Sequence, residues 1–234
     1  MVDNTQPIVI AISKGHFPTT WGGDTGAVGV GGVKEFDLNT AFGDSLINAF
    51  RRRGYPIFDM PRVRITRRIK SLQAYFGAFV QAANVKPLVV VLSCHHNAGG
   101  GTGTEVFVSS EESKSRRLGD IVQRAIVKTV QLEPRGQPRR PKWRDRGLKF
   151  THYYILSGTP YRKAGFTEEE LNYHIYAALI EFGFVDSADD LKIVADREEQ
   201  FLIGEAIANE VDKWLRDEFP ACFGGPPWPS PVYA

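Results

Sequence analysis

Cysteine is scarce in this chain of 234 residues: only Cys94 and Cys222 occur, with no CxxC pair. That excludes a disulfide framework and any zinc cluster built mainly from thiolates, so a metal here must be held by histidine and carboxylate. Long apolar runs are also missing. The longest are strand-length, which excludes a transmembrane helix. The opening MVDNTQPIVIAISK has an early Asp3, a very short apolar run and no small-residue cleavage site, so it does not read as a signal peptide. Synthesis in the cytoplasm is expected, with the protein kept there until something releases it. No internal repeat is present.

At this length one α/β domain, or a domain with a tail, can bury a real core. With 42% hydrophobic and 24% charged residues, the chain has the composition of an ordinary soluble globule. The net charge of +2 conceals an asymmetry. Residues 134–149, PRGQPRRPKWRDRGLK, hold seven Lys/Arg against one Asp and so carry +6, leaving −4 for the remainder. Residues 51–70, RRRGYPIFDMPRVRITRRIK, are similarly basic. Solvated loops and helix ends account for such segments most simply. A polyanionic partner, nucleic acid or a cell-envelope polymer, is the functional alternative. Beyond Tyr55, Phe58 and Trp143 the segments lack the interleaved aromatics on which bases stack, so a nucleic-acid partner is not expected.

PIVIAIS (7–13) reads as a short buried strand, followed by a Gly-rich stretch through Gly32. Leu38, Phe42, Leu46, Ala49 and Phe50 recur at helical spacing and predict a helix from Phe36 to Arg53, stopped by Gly54. A second helix is expected over 69–84. LVVVLSCHH (88–96) is a buried strand, GTEVFVSS (103–110) a strand after a Gly turn, and a helix is expected from Glu111 to Leu132. After the basic loop, FTHYYIL (150–156) and IYAALIEFGF (175–184) read as strands, and a last helix is expected from Asp190 to Glu218. This alternation predicts an α/β fold: a single domain, residues 1–218, with a largely parallel or mixed central sheet flanked by helices. Residues 219–234, rich in Pro and Gly, are expected to form an extended tail.

Polar chemistry sits on the apolar strands in three places. ISKGH puts His16 just past the first strand, and SCHHN puts His95 at the end of another. Ligands in open α/β sheets gather at the carboxyl ends of strands, so the two histidines are candidates to share one site. Strand alternation places Ser93, His95 and Asn97 on one face and Cys94 and His96 on the other, which makes Cys94 a small core residue. His96 stays a rival ligand if the chain bends at the strand end. In ALIEFGF, Glu181 lies within an apolar run where an unpaired carboxylate costs several kcal/mol. It is either salt-bridged to an arginine or placed beside a metal as a general base. Glu35, in KEFDLN, is either a first-turn carboxylate favoured by the helix dipole or the third ligand of a His, Glu, His shell with one position open for water.

In order along the chain, GH (15–16), GGDTGAVG (22–29), KEFDLN (34–39), SCHHNA (93–98) followed by GTEVFV, RGLK (146–149) and LIEFGFVDSADD (179–190) resemble the motifs of the zinc-dependent N-acetylmuramoyl-L-alanine amidases of the type 3 family, found in bacterial autolysins and phage endolysins. The resemblance implies that His16, Glu35 and His95 bind zinc and that Glu181 is catalytic. It also implies that peptidoglycan is the substrate, cut at the amide between N-acetylmuramic acid and L-alanine of the stem peptide. Two features depart from the family pattern: FPTTW intervenes between His16 and GGD, and His96 stands where a small residue is usual. A zinc peptidase cutting within the stem peptide is the alternative enzyme. A phage endolysin that lyses its host, acting as a monomer on the wall after release, is the expected setting.

Overall fold

The computed structural model describes residues 6–18, 23–131 and 143–223. Its strands are β1 (Ile8–Lys14), β2 (Ile57–Asp59), β3 (Leu88–Asn97), β4 (Thr104–Val108), β5 (Asp145–Phe150) and β6 (Ile175–Phe184). They form one sheet in the order β2-β1-β3-β6-β4-β5. The first four in that order run parallel, while β4 is antiparallel to β6 and carries β5 parallel to itself. The sheet is therefore mixed, with the uninterrupted apolar runs of β1, β3 and β6 at its centre, as strands covered on both faces require.

The helices cover both faces. Ile10, Leu92, Cys94 and Ile180 point to a core shared with α1 (Glu35–Arg52), α3 (Arg116–Gln131) and α7 (Arg197–Glu218). Val9, Val91, Ala177 and Leu179 point to the opposite core, against α2 (Ile65–Ala83) and α4 (Gly158–Ala164). α1 forms because Leu38, Phe42, Leu46, Ala49 and Phe50 line one face, with Glu35 and Asp37 in its first turn and Arg51 and Arg52 in its last. Two short helices, α5 (Glu168–Tyr173) and α6 (Ala188–Val194), complete the set. No helix among the described residues is long and apolar enough to cross a membrane.

Several expectations are corrected. FTHYYIL is not a strand: β5 lies earlier, at 145–150, and residues 151–157 turn back as the amides of Leu156 and Ser157 bond the carbonyl of Tyr153. The final helix is two, because Asp196 accepts from the amides of Glu198 and Glu199 and so caps α7 where α6 has ended. The helix expected from Glu111 starts at Arg116, after a turn closed by Ser110 and Ser113. α2 begins at Ile65, four residues before the expected start. β2, α4 and α5 were not foreseen, although Thr167 and Glu170 form a capping box at the start of α5.

In the basic segment 51–70, Tyr55 and Phe58 are buried in the core rather than offered to a partner. Most of the other basic segment, 134–142, lies outside the described residues, but Trp143 is buried against Phe182. At the C-terminal end, Pro220–Phe223 forms a short 3-10 turn, and Phe219 packs on Trp214 and Tyr176.

Candidate active site

The ends of three elements meet above the parallel strands. His16 lies two residues beyond β1, Glu35 is the first residue of α1, and His95 lies near the end of β3. Each offers one ligand atom, and these atoms lie within 4.8 Å of one another. Glu35 is the hub. Its Oε1 is 3.0 Å from Nε2 of His16 and 3.2 Å from Nδ1 of His95, and it accepts from Asn39 Nδ2 and from the amide of His96. Oε2 accepts from the amide of Ala27. On its other ring nitrogen, His16 meets Asp24 Oδ2 at 3.0 Å. A carboxylate on the far nitrogen fixes the ring plane and leaves Nε2 aimed into the site, as the outer partner of a metal-bound histidine does.

Two glycines make room for this convergence. A Cβ on Gly15 would sit 2.4 Å from Cε1 of His95 and 2.7 Å from Nδ2 of Asn39. One on Gly26, whose φ is +71°, would sit 2.4 Å from Oε2 of Glu35. The ligand atoms are packed against bare backbone, and any side chain there would push them apart.

The electrostatics follow from the crowding. Burial pushes the Glu35 carboxyl upward, but the two histidines outweigh it and hold the group well below the usual carboxylate range. Burial lowers His16, yet its bonds to Glu35 and Asp24 carry it above its ordinary value, whereas burial keeps His95 below its own. A cation held at this point would offset the Glu35 carboxylate directly. Two imidazoles and one buried carboxylate within this span suit a single divalent ion, so the residues present fit a metal.

His96 points the other way, as alternation along β3 requires. It is 2% exposed, packs against Phe42 and Phe182, and its Nδ1 is 2.7 Å from Oδ1 of Asn39. Burial lowers its pKa to about 3, so the ring is neutral. Cys94 is fully buried on the same side, its thiol pushed up by burial.

Glu181 stands beside His95 as its register partner on β6, and Glu105 of β4 is the partner of Glu181 on the other side. Immediately beyond, β6 bulges: His95 pairs with Glu181 but Asn97 with Phe184, and Gly183 takes the positive φ of +77° that the extra residue needs. Oε2 of Glu181 has no hydrogen-bond partner among the described residues. Burial, with the charges of Glu35 and Glu105 added, pushes its pKa up to about 8. No arginine pairs with it among the described residues. The arginine goes to Glu105 instead, which is held by Arg146 and Lys149 and so lies below the usual range despite its burial. His16, Glu35, His95 and Glu181 line one cleft of about 840 Å³, walled also by Arg64 and Tyr154.

Sequence reasoning passed over Asp24, Asn39 and Glu105. Asp24 lay within the quoted GGD motif, and Asn39 is one helical turn from Glu35, a spacing that puts both on one side of α1.

A mixed α/β sheet that gathers a His, Glu, His cluster and a buried glutamate at the ends of its strands has the donor set of a metal-dependent hydrolase. The chain belongs to the N-acetylmuramoyl-L-alanine amidase family, whose profile matches residues 10–213. It is 25% identical over 208 residues to the uncharacterized protein YqiI of Bacillus subtilis (strain 168), spanning 88% of this chain and 84% of that one. Its fold is similar to that of the N-acetylmuramoyl-L-alanine amidase AmiC2 of Nostoc punctiforme, with a TM-score of 0.64 at 20% identity over 92% of this chain and 99% of the other. The catalytic domain of the CD27L endolysin targeting Clostridia Difficile superposes with a TM-score of 0.56 at 20% identity, covering 89% and 97%. The family thus supports the peptidoglycan amidase, not the stem-peptide peptidase.

Proposed function

We propose that the chain is a zinc-dependent peptidoglycan hydrolase in which His16, Glu35 and His95 hold the metal and Glu181 is the general base. The observation that carries this is the register pairing of His95 with Glu181, which sets an unpartnered carboxylate beside the cluster in one cleft. Zinc, when bound, polarises a carbonyl and lowers the pKa of a water toward ~7.

The protein's part is to orient and to move protons. Asp24 and Glu35 fix the His16 ring, and Gly15 and Gly26 let the ligand atoms close together. Glu181 Oε2 accepts a proton from the water that attacks the lactyl carbonyl carbon. The C–N bond to L-alanine then breaks, and the same oxygen returns the proton to the departing amine. Products are a free lactyl carboxylate on the muramic acid and a stem peptide with an L-alanine amino terminus.

The test is metal content and product chemistry on one preparation. One zinc per chain, loss of activity on chelation and a new L-alanine amino terminus are expected. A new amino terminus at any other residue would refute the assignment of the scissile bond. The fold shared with an endolysin catalytic domain supports a lytic role exerted from outside the cytoplasmic membrane. In that setting intracellular protein leaves cells intact, and the same protein added to exposed walls lowers their turbidity. Lysis on cytoplasmic expression alone would overturn it.

A further inference from the structure

Arg68, in the first turn of α2, belongs to a stretch that looks in sequence like a solvent-facing basic patch. It is instead 4% exposed, and its donors go to main-chain carbonyls and one hydroxyl. Nε donates to the carbonyl of Val63 at 2.8 Å. Nη1 donates to the carbonyl of Lys14 at 2.6 Å and to Ser13 Oγ at 3.1 Å, and Nη2 donates to the carbonyl of His16. Among the described residues none of its partners is a carboxylate. A buried guanidinium facing only neutral acceptors is costly, so what it fixes matters.

What it fixes is the end of β1. His16 adopts a φ of +59°, the left-handed region in which a non-glycine residue costs roughly 1–2 kcal/mol. Local bonds oppose that cost only in part, through the amide of Phe17 to the carbonyl of Asp24. The Arg68 fork reaches across from α2 and grips the carbonyls on both sides of Gly15, the residue whose missing Cβ admits His95.

We propose that Arg68 is a positioning residue for the metal centre, its planar fork holding the strained backbone of His16 so that the imidazole stays aimed at the ion. The proposal rests on reading His16, Glu35 and His95 as metal ligands. Its sign is distinctive. The Arg68 guanidinium is a buried positive charge bonded to the carbonyl of His16, and such a charge repels a divalent cation. Charge alone therefore predicts tighter metal binding once Arg68 is neutralised, whereas positioning predicts weaker binding. Lysine keeps the charge but not the fork.

The experiment compares the full-length chain with Arg68→Lys and Arg68→Gln, at a temperature where circular dichroism shows each to be folded. Zinc affinity is read by competition with a chromogenic chelator, and zinc release by stopped flow, so neither readout depends on turnover. Both variants are expected to bind zinc ~10–100-fold more weakly, the usual loss when a ligand's outer support is removed, with faster release. Unchanged affinity in the folded variants, or tighter binding in Arg68→Gln, overturns the proposal. Failure of even Arg68→Lys to fold also overturns it, by making Arg68 a residue of folding rather than of the site. A parent chain that binds no zinc instead overturns the reading of the ligands themselves.

Discussion

Glu181→Gln tests the site with two independent readouts. Glutamine keeps the shape but can neither ionise nor take a proton. If Glu181 is the general base, zinc content stays at the parental level while turnover falls by the ~10²–10⁴-fold typical of losing a general acid–base. The second readout is the stability of chelator-treated protein. Without metal, burial beside Glu35 and Glu105 raises the folded-state pKa from 4.5 to about 8. A raised carboxyl contributes stability that is fully present below 4.5 and is lost as pH rises through 8. At ~1.4 kcal/mol per pKa unit, and allowing for partial exposure, the loss by pH 8 is roughly 3 kcal/mol. For a chain of this length that is roughly 6–12 °C in unfolding midpoint. Metal-free Glu181→Gln should therefore match the parent near pH 4.5 and exceed it by that amount at pH 8, in thermal scans followed by circular dichroism. A difference that stays flat with pH would show that Glu181 is not held in a desolvating site. A zinc-free variant would make it a ligand, and a fully active one would remove it from the chemistry.

Other substitutions probe the remaining parts of the site. His16→Ala and His95→Ala should each lose stoichiometric zinc together with activity, whereas His96→Ala should keep the metal and cost roughly 2–3 kcal/mol of stability from its buried place against Phe42 and Phe182; the reverse pattern in zinc analysis would refute the ligand assignment. Gly15→Ala should displace His95 and weaken zinc binding at least tenfold, on the scale of a lost outer partner; an unchanged chelator titration would refute the packing argument. Asp24→Asn should preserve the fold but loosen His16, giving a ~10-fold weaker zinc affinity with an unfolding midpoint within a degree or two of the parent; equal affinity would make Asp24 a bystander.

The central strands were legible because β1, β3 and β6 each open on an apolar run that covers half of the strand or more before its first polar residue. The side of His95 was legible because alternation on a strand leaves only two choices, and the buried positions of Cys94 and His96 agree with it. β5 was missed because Arg146 and Lys149 look like surface residues, and the buried carboxylate that satisfies them, Glu105, is on another strand. FTHYYIL misled for the opposite reason: its aromatic residues suit a strand, yet Tyr153 and Tyr154 are 46% and 40% exposed. Arg68 was hidden in a basic run, since two of its acceptors, the carbonyls of Lys14 and His16, lie more than fifty positions away, which no local pattern records. For β5 and Arg68, polar pairing between distant positions was what the sequence concealed.

His95, Glu181 and Glu105 form a single row across β3, β6 and β4, each opposite the next in the ladder. Spacing within such a row is set by the distance between hydrogen-bonded strands, ~4.8 Å, and cannot drift continuously. The smallest available error is a slip of one residue, which would throw each side chain to the wrong face and destroy the core at the same time. The chemistry of each member of the row can thus be altered singly, while its spacing is kept by the same pairing that keeps the core.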